Sequence, residues 1–257
     1  MSLLRGGWRI TILTLILALG TIVILAIAWI PVSIRGIRLG AWPITIMARM
    51  MLRLFNIQVN YANMDRFETH QGFIFPNHTS PIDVVVLVAI IPMRFLAKIE
   101  IRSWPFIGWI ATAVGTVFVN RSDKESRQLA REALLLVNHY PPIVLFPEGG
   151  ILAPCGVLHP FRFGAFEIAA KNETPFMPLA IRYDPLEIAY WGDESLWDAI
   201  WRLASYDRPL LVELQPLRLI HPTVTDDPRH LALETHGAVE AVLFHREDDP
   251  AIVQPGI

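Results

Sequence analysis

One histidine and one carboxylate stand five residues apart in Phe75-Pro76-Asn77-His78-Thr79-Ser80-Pro81-Ile82-Asp83, between two apolar runs. The first run, Phe73 to Phe75, reads as a short strand. The second, Val84 to Ile91, reads as a helix or a fully buried strand. With Ser80 as N-cap, Pro81 falls at the first helical position, where its missing N–H is harmless. Asp83 then falls at the third, from which a carboxylate folds back over the residues before the cap. His78 lies there, so Asp83 can hold one imidazole nitrogen and leave the other free as a base, the base-and-orienter part of a catalytic triad. No G-x-S-x-G elbow exists in the chain, so the nucleophile is expected to come from a substrate. The plain alternative is that His78 ends a strand and Asp83 caps a helix.

The elements that must position this pair alternate from Asn60 onward. Phe73–Phe75, Arg94–Ala97, Thr116–Val119, Ile143–Phe146 and Phe176–Ile181 read as strands. Ser122-Asp123-Lys124-Glu125 matches a capping box and opens a helix to about Asn138. Gly164 to Lys171 reads as a helix ending at Asn172, Leu210 to Ile220 as a half-exposed strand, and Pro228 to His245 as a helix. The tail from Glu247 is polar and reads as loose. Such alternation predicts an α/β fold, a mostly parallel sheet flanked by helices.

Ahead of it, Ile10 to Ile30 is 21 residues without a charge, about the length that crosses a bilayer. A signal peptide is the rival, but its apolar region would be too long. Trp8 and Trp29 fall near the ends, where indoles favour the membrane interface. The run either spans or re-enters on one side. Ile44 to Ile57 follows as an interfacial helix, with Arg49 and Arg53 on one face reaching lipid phosphates and Met and Leu over the rest; a core helix with two solvated arginines is the alternative. Two domains are expected: membrane-anchoring helices over 1–60 and the α/β domain over 61–257.

The overall balance supports a membrane surface. The chain is 53% hydrophobic with 8 Trp, more than a freely soluble protein carries. Residues 1–60 hold six arginines and no acid; the rest holds 16 basic and 24 acidic residues, a balance of −8. A basic apolar end on an acidic body points to lipid rather than nucleic acid. A lone Cys155 excludes an internal disulfide and fits a reducing compartment. The eight histidines are scattered, with no metal cluster, and His139, His159, His221 and His245 are expected to be structural or surface residues. No glycine-rich phosphate loop is present.

Asn77-His78-x4-Asp83 resembles the first motif of the glycerolipid acyltransferases, the family of the lysophosphatidic acid acyltransferases. The others follow in order. Gly115-Thr116-Val117-Phe118-Val119-Asn120-Arg121 looks like the second, and Phe146-Pro147-Glu148-Gly149 like the third. Phe161-Arg162-Phe163-Gly164-Ala165-Phe166 looks like the block after it, and Thr174-Pro175-Phe176-Met177-Pro178-Leu179 like the fourth. Tyr190 to Leu203 also resembles bacterial members. The resemblance covers residues 73 to 182 and implies acyl transfer from a thioester, acyl-CoA or acyl carrier protein, to a lysolipid hydroxyl. No cofactor is implied. The partners implied are membrane lipids and the acyl donor, at the cytoplasmic side of an inner membrane; the oligomeric state is not legible.

His78 is then the general base and Asp83 its orienter. The backbone at Gly149 and Gly150 can approach an oxyanion closely. By resemblance Glu148 helps bind the acceptor, and Arg121 and Lys98 occupy cation positions for its phosphate; Arg162 is a third cation candidate. Val84–Ile91 and Trp104–Val114 supply enough apolar surface for an acyl slot, with plain core packing the expected role of most of their residues. The third motif usually continues with Thr-Arg or Ser-Arg, whereas this chain has Gly150-Ile151. The first expectation for the acceptor is 1-acyl-sn-glycerol-3-phosphate; a lyso-ornithine lipid or another lysolipid is the alternative. Two rivals of other classes are a hydrolase using Ser80 or water with His78, and a catalytically silent lipid-binding protein.

Overall fold

The computed structural model describes residues 2–136, 139–152, 156–192 and 194–244. Cys155, the tail from Glu247, and the expected helix ends at Asn138 and His245 lie outside the described residues. The chain begins with helix α1 (Ser2–Ile27), a short antiparallel pair β1 (Ser33–Ile34) and β2 (Ile37–Arg38), and α2 (Trp42–Leu54). It continues through β3 (Ile57–Tyr61), α3 (Met64–Thr69), β4 (Phe73–Pro76), α4 (Ile82–Val88), β5 (Arg94–Lys98) and α5 (Ile107–Ala113). Next come β6 (Val117–Val119), α6 (Lys124–Leu136), β7 (Ile143–Val144), α7 (Gly164–Lys171) and β8 (Phe176–Asp184). The last elements are α8 (Leu186–Ala189), α9 (Leu196–Ser205), β9 (Leu210–Pro216) and α10 (Pro228–Phe244).

The main sheet runs in the order β3-β9-β8-β4-β7-β5-β6, and only the β8–β9 contact is antiparallel. The expected mostly parallel α/β architecture is therefore present. Strand β4 lies in the middle, and all four of its residues are buried. Its alternation divides the core. Ile74 faces Val86, Leu87, Val144, Met177 and Ile181 under α2 and α4. Phe73 and Phe75 face Phe166, Phe176 and Leu145 under α6, α7 and α10. Phe75 stacks on Phe176 at 4.7 Å and meets Phe166 edge-on at 4.9 Å. The parallel strands β4, β7, β5 and β6 and the parallel-paired β8 all end on one edge, the usual ligand edge of such sheets.

Several element ends differ from expectation for local reasons. The helix over 44–57 ends at Leu54 because Asn56 adopts a left-handed φ of 55°, and Ile57 starts β3. Asp123, not Ser122, caps α6: its carboxylate accepts from the amides of Glu125 and Ser126 at 3.3 and 3.0 Å. The stretch expected to form an acyl slot, Val84–Ile91, is packed core over Val86 to Ile91. Arg49 does not reach outward. Its guanidinium donates to the carbonyls of Ala89 and Ile90 at 2.8 and 3.1 Å, just past the end of α4, where carbonyls lack helical partners. Arg53 is exposed.

Helix α1 is long and apolar enough to cross a membrane, with mean hydropathy 2.8 over the most apolar 18-residue stretch of Leu3–Ile27. One of its faces is nevertheless held by the domain from end to end. Gly6 lies against Trp201 and Ser205, Gly20 against Met47, and Ala28 against Gly40. Arg9 is buried and donates to the carbonyls of Ala204 and Tyr206 at 3.2 and 2.7 Å, closing the end of α9. The opposite face exposes Leu4, Trp8, Ile12, Leu15, Leu19 and Ile22. Replacing Arg9 by Leu should lower the unfolding free energy by about 1.5–3 kcal/mol, the range for charge-assisted bonds. Thermal unfolding in detergent measures this, and an unchanged midpoint would show that Arg9 does not secure α1.

Candidate active site

The site is built from strand ends. Beyond Pro76 the chain leaves β4, and Asn77 locks the loop to β8: its amide donates to the Ile181 carbonyl at 3.0 Å and its carbonyl accepts from Ile181 N at 2.7 Å. Ser80 then starts α4. Its hydroxyl accepts from Ile82 N at 3.2 Å while donating to the Ala189 carbonyl at 2.6 Å, and its carbonyl accepts from Asp83 N at 3.1 Å. The helix begins one residue later than expected, yet the carboxylate still folds back. Asp83 Oδ2 accepts from Thr79 N at 2.8 Å, Ser80 N at 3.0 Å and His78 Nδ1 at 2.8 Å. Ser80 is fully buried and its proton is committed, which removes it as the nucleophile of a hydrolase.

His78 is fixed on three sides. Its Nδ1 faces Asp83, its ring stacks on Phe146 with centroids 3.7 Å apart and planes at 17°, and its amide donates to Glu148 Oε1 at 2.6 Å. With Nδ1–H donated to the carboxylate, Nε2 carries the free lone pair and has no protein partner among the described residues. The imidazole thus has the tautomer and the orientation of a base.

Glu148, expected to face an acceptor, is turned inward. It is 3% exposed, and its second oxygen accepts from His159 N at 3.2 Å. Burial raises its pKa to about 7; the two N–H donors oppose this, and the charge of Asp83 adds to it. The expected oxyanion donors are also divided. The Gly149 amide closes a turn onto the Phe146 carbonyl at 3.0 Å and is not available, whereas Gly150 N has no such partner among the described residues. Gly149 has φ of 82°, and a Cβ there would meet Arg162 Nε at 2.8 Å, so glycine is needed for Arg162 to cross the turn.

The cations form a second group. Arg121 Nη1 would lie 3.6 Å from a Cβ at Gly150. Burial and then the charge of Arg162 lower the proton affinity of Arg121, while Glu100 opposes them. Lys98 and Val119 are register partners, so Glu100 and Arg121 both lie two residues beyond the paired ends of β5 and β6. Lys98 is exposed, with Nζ 4.0 Å from Glu100. A cleft of about 520 Å³, including its open mouth, adjoins His78 between Asn77, Glu148, His159, Arg182, Tyr183 and Tyr190.

The sequence alone does not reveal Phe146 as the stacking partner of His78, nor Tyr183, whose hydroxyl donates to Asp83 Oδ1 at 2.5 Å. Tyr183 is 100 positions from Asp83, and its only local signal is a hydroxyl closing an apolar strand.

Residues 58–182 match the model of the Acyltransferase family. A lyso-ornithine lipid O-acyltransferase of Rhodobacter capsulatus is 29% identical over 95% of this chain and 90% of its own. A 1-acyl-sn-glycerol-3-phosphate acyltransferase of Neisseria meningitidis is 30% identical over 50% of this chain and 52% of its own. The fold resembles that of the 1-acyl-sn-glycerophosphate acyltransferase PlsC from Thermotoga maritima, with TM-score 0.72 over 94% of both chains at 17% identity.

Glu148 makes stability depend on pH. Its folded value lies above the ordinary 4.5, so the native state holds a proton that the unfolded chain has released. This contribution is full below pH 4.5 and is lost as the pH rises through about 7, a fall on the order of 3 kcal/mol. Unfolding midpoints of wild type and Glu148→Gln across pH 4–8 should diverge in that window; parallel curves would mean that Glu148 ionises normally.

Proposed function

We propose that this chain, a member of the Acyltransferase family, moves a fatty acyl group from a thioester to a lysolipid hydroxyl with His78 as general base. The observation that carries this reading is the 2.8 Å contact of Nδ1 with Asp83, which leaves Nε2 unoccupied. Nε2 takes the proton of the acceptor hydroxyl as that oxygen attacks the thioester carbonyl. The C–S bond breaks, and the leaving thiolate takes the proton back from the imidazolium. Asp83 holds the tautomer and stabilises the cation between these steps. The Gly150 amide is the donor left in its turn for the developing oxyanion.

The head group of the acceptor is assigned to Arg121 and Arg162, with Lys98 further out. A lyso-ornithine lipid fits these charges best. Its carboxylate suits the two guanidiniums, and its ammonium suits Glu100 beside Arg121. Ile151 supplies no third cation for a phosphate dianion, and a relative of that name matches over 90% of its length. Lysophosphatidate is the second reading, favoured by Arg121 in its motif position. The thioester is common to acyl-CoA and acyl carrier protein, both cytoplasmic, so the domain is placed on the cytoplasmic side of the inner membrane. The exposed face of α1 is assigned to lipid, lying along the bilayer surface.

A labelled acyl thioester with lysolipid acceptors tests the chemistry. His78→Ala should lose about 10²–10⁴-fold in turnover; wild-type turnover in a folded variant would end the general-base reading. Glu100→Gln should raise the KM for lyso-ornithine lipid about tenfold and leave that for lysophosphatidate unchanged or lower. Ile151→Arg should improve only lysophosphatidate. A wild type that prefers lysophosphatidate would reverse the order of the two acceptors.

For the membrane, Ile12→Glu with Leu19→Glu places two charges on the outer face of α1. The double variant should dissociate from anionic vesicles that retain wild type in a flotation assay. Equal retention would remove α1 from the lipid contact.

A further inference from the structure

Asp83 has no exposure to water, and three of its four donors converge on Oδ2. Oδ1 depends on a single group from another element, the hydroxyl of Tyr183 on β8, at 2.5 Å. That distance belongs to the strong, charge-assisted class of O–H···O⁻ bonds. Tyr183 is itself buried, and its ionisation is pushed well above the ordinary tyrosine range by burial and by the charge of Asp83, so the hydroxyl remains a donor. Tyr183 also borders the cleft beside His78, but its hydroxyl is given to Asp83 and makes no bond to the imidazole, so its effect on the base passes through Asp83.

We propose that Tyr183 is a positioning residue that sets the proton affinity of the His78–Asp83 pair, and with it the pH at which the base becomes competent. The physics has a definite sign. A donor to the ionised carboxylate draws off part of its negative charge and favours the deprotonated pair. Without that donor, Asp83 attracts the imidazolium proton more strongly, and His78 releases it only at higher pH. The other titratable groups facing the pair are Glu148, which accepts from the His78 amide, and His159, whose amide bonds to Glu148. Arg182 and Tyr190 line the adjoining cleft, Arg182 being paired to Glu213.

The inference rests on His78 acting as the base, and the two fail differently. If folded His78→Ala keeps its turnover, the base assignment fails. If His78→Ala is inactive but the pH profile ignores Tyr183, only the present inference fails. The measurement is the pH dependence of kcat/KM in full-length protein, with folding checked by circular dichroism. Tyr183→Phe should move the acid limb upward by about one pH unit. On the acid side of the limb it should lose up to about tenfold, recover toward wild type in alkali and leave both KM values within about twofold. A loss of equal size at every pH, or an unmoved limb, would overturn it. Replacing Tyr183 by 3-fluorotyrosine keeps the shape and strengthens the donor, so the limb should move down; this arm decides if the phenylalanine variant does not fold. Because Glu148 titrates in the same range, the comparison is repeated in Glu148→Gln. The Tyr183 shift should persist there, and its disappearance would give the limb to Glu148 and overturn the proposal.

Discussion

A carboxylate sealed from water must find every hydrogen-bond donor inside the protein, and Asp83 is the residue around which this constraint is met. The loop that carries His78 has to curl until two of its amides and one imidazole nitrogen reach the same oxygen. Strand β8 has to end where Tyr183 can supply the other oxygen. Asn77 then ties that loop to the same strand, so the donors arrive as one body rather than as independent side chains. An incomplete set would leave a buried charge short of partners, an expensive state that the packing of β4 between β7 and β8 avoids.

The edge of the sheet explains why residues far apart in the chain meet here. Parallel strands deliver their C-terminal loops to one side, so His78, Lys98, Arg121 and Glu148 share an edge although they lie in four separate segments. Their environments nevertheless differ. His78 and Glu148 are packed into the interior side of the edge, while Arg121 and Arg162 form a cationic group beside the glycine turn.

Periodicity and punctuation made much of this legible. The apolar runs located the strands, and the spacing of His78 and Asp83 gave the contact itself, because fold-back from a helix start is a local geometry. What was illegible was non-local. Nothing near Arg49 indicates that its guanidinium is taken by the carbonyls of residues 89 and 90, so a cation on an apolar helix read as a lipid contact. Glu148 read as an acceptor contact because the amides it serves belong to His78 and His159, far from it in the chain. Val84 to Ile91 was readable both as an acyl slot and as core, because apolar sequence alone does not distinguish a cavity wall from packing; the structure makes Val86 to Ile91 core.

The bonds from Glu148 to His159 and from the Pro147 carbonyl to Arg162 N have one more effect. They pinch the chain shut at the neck of the excursion between them, so its two ends stay together whatever lies within. Closing such a loop costs little more when it lengthens, and the base feels only the neck. Among the described residues of this stretch, Ile151 and Val157 are therefore side chains that can change without moving the neck. Ile151 lies inside that stretch, so a new side chain there leaves the neck, and with it the placement of His78, unchanged.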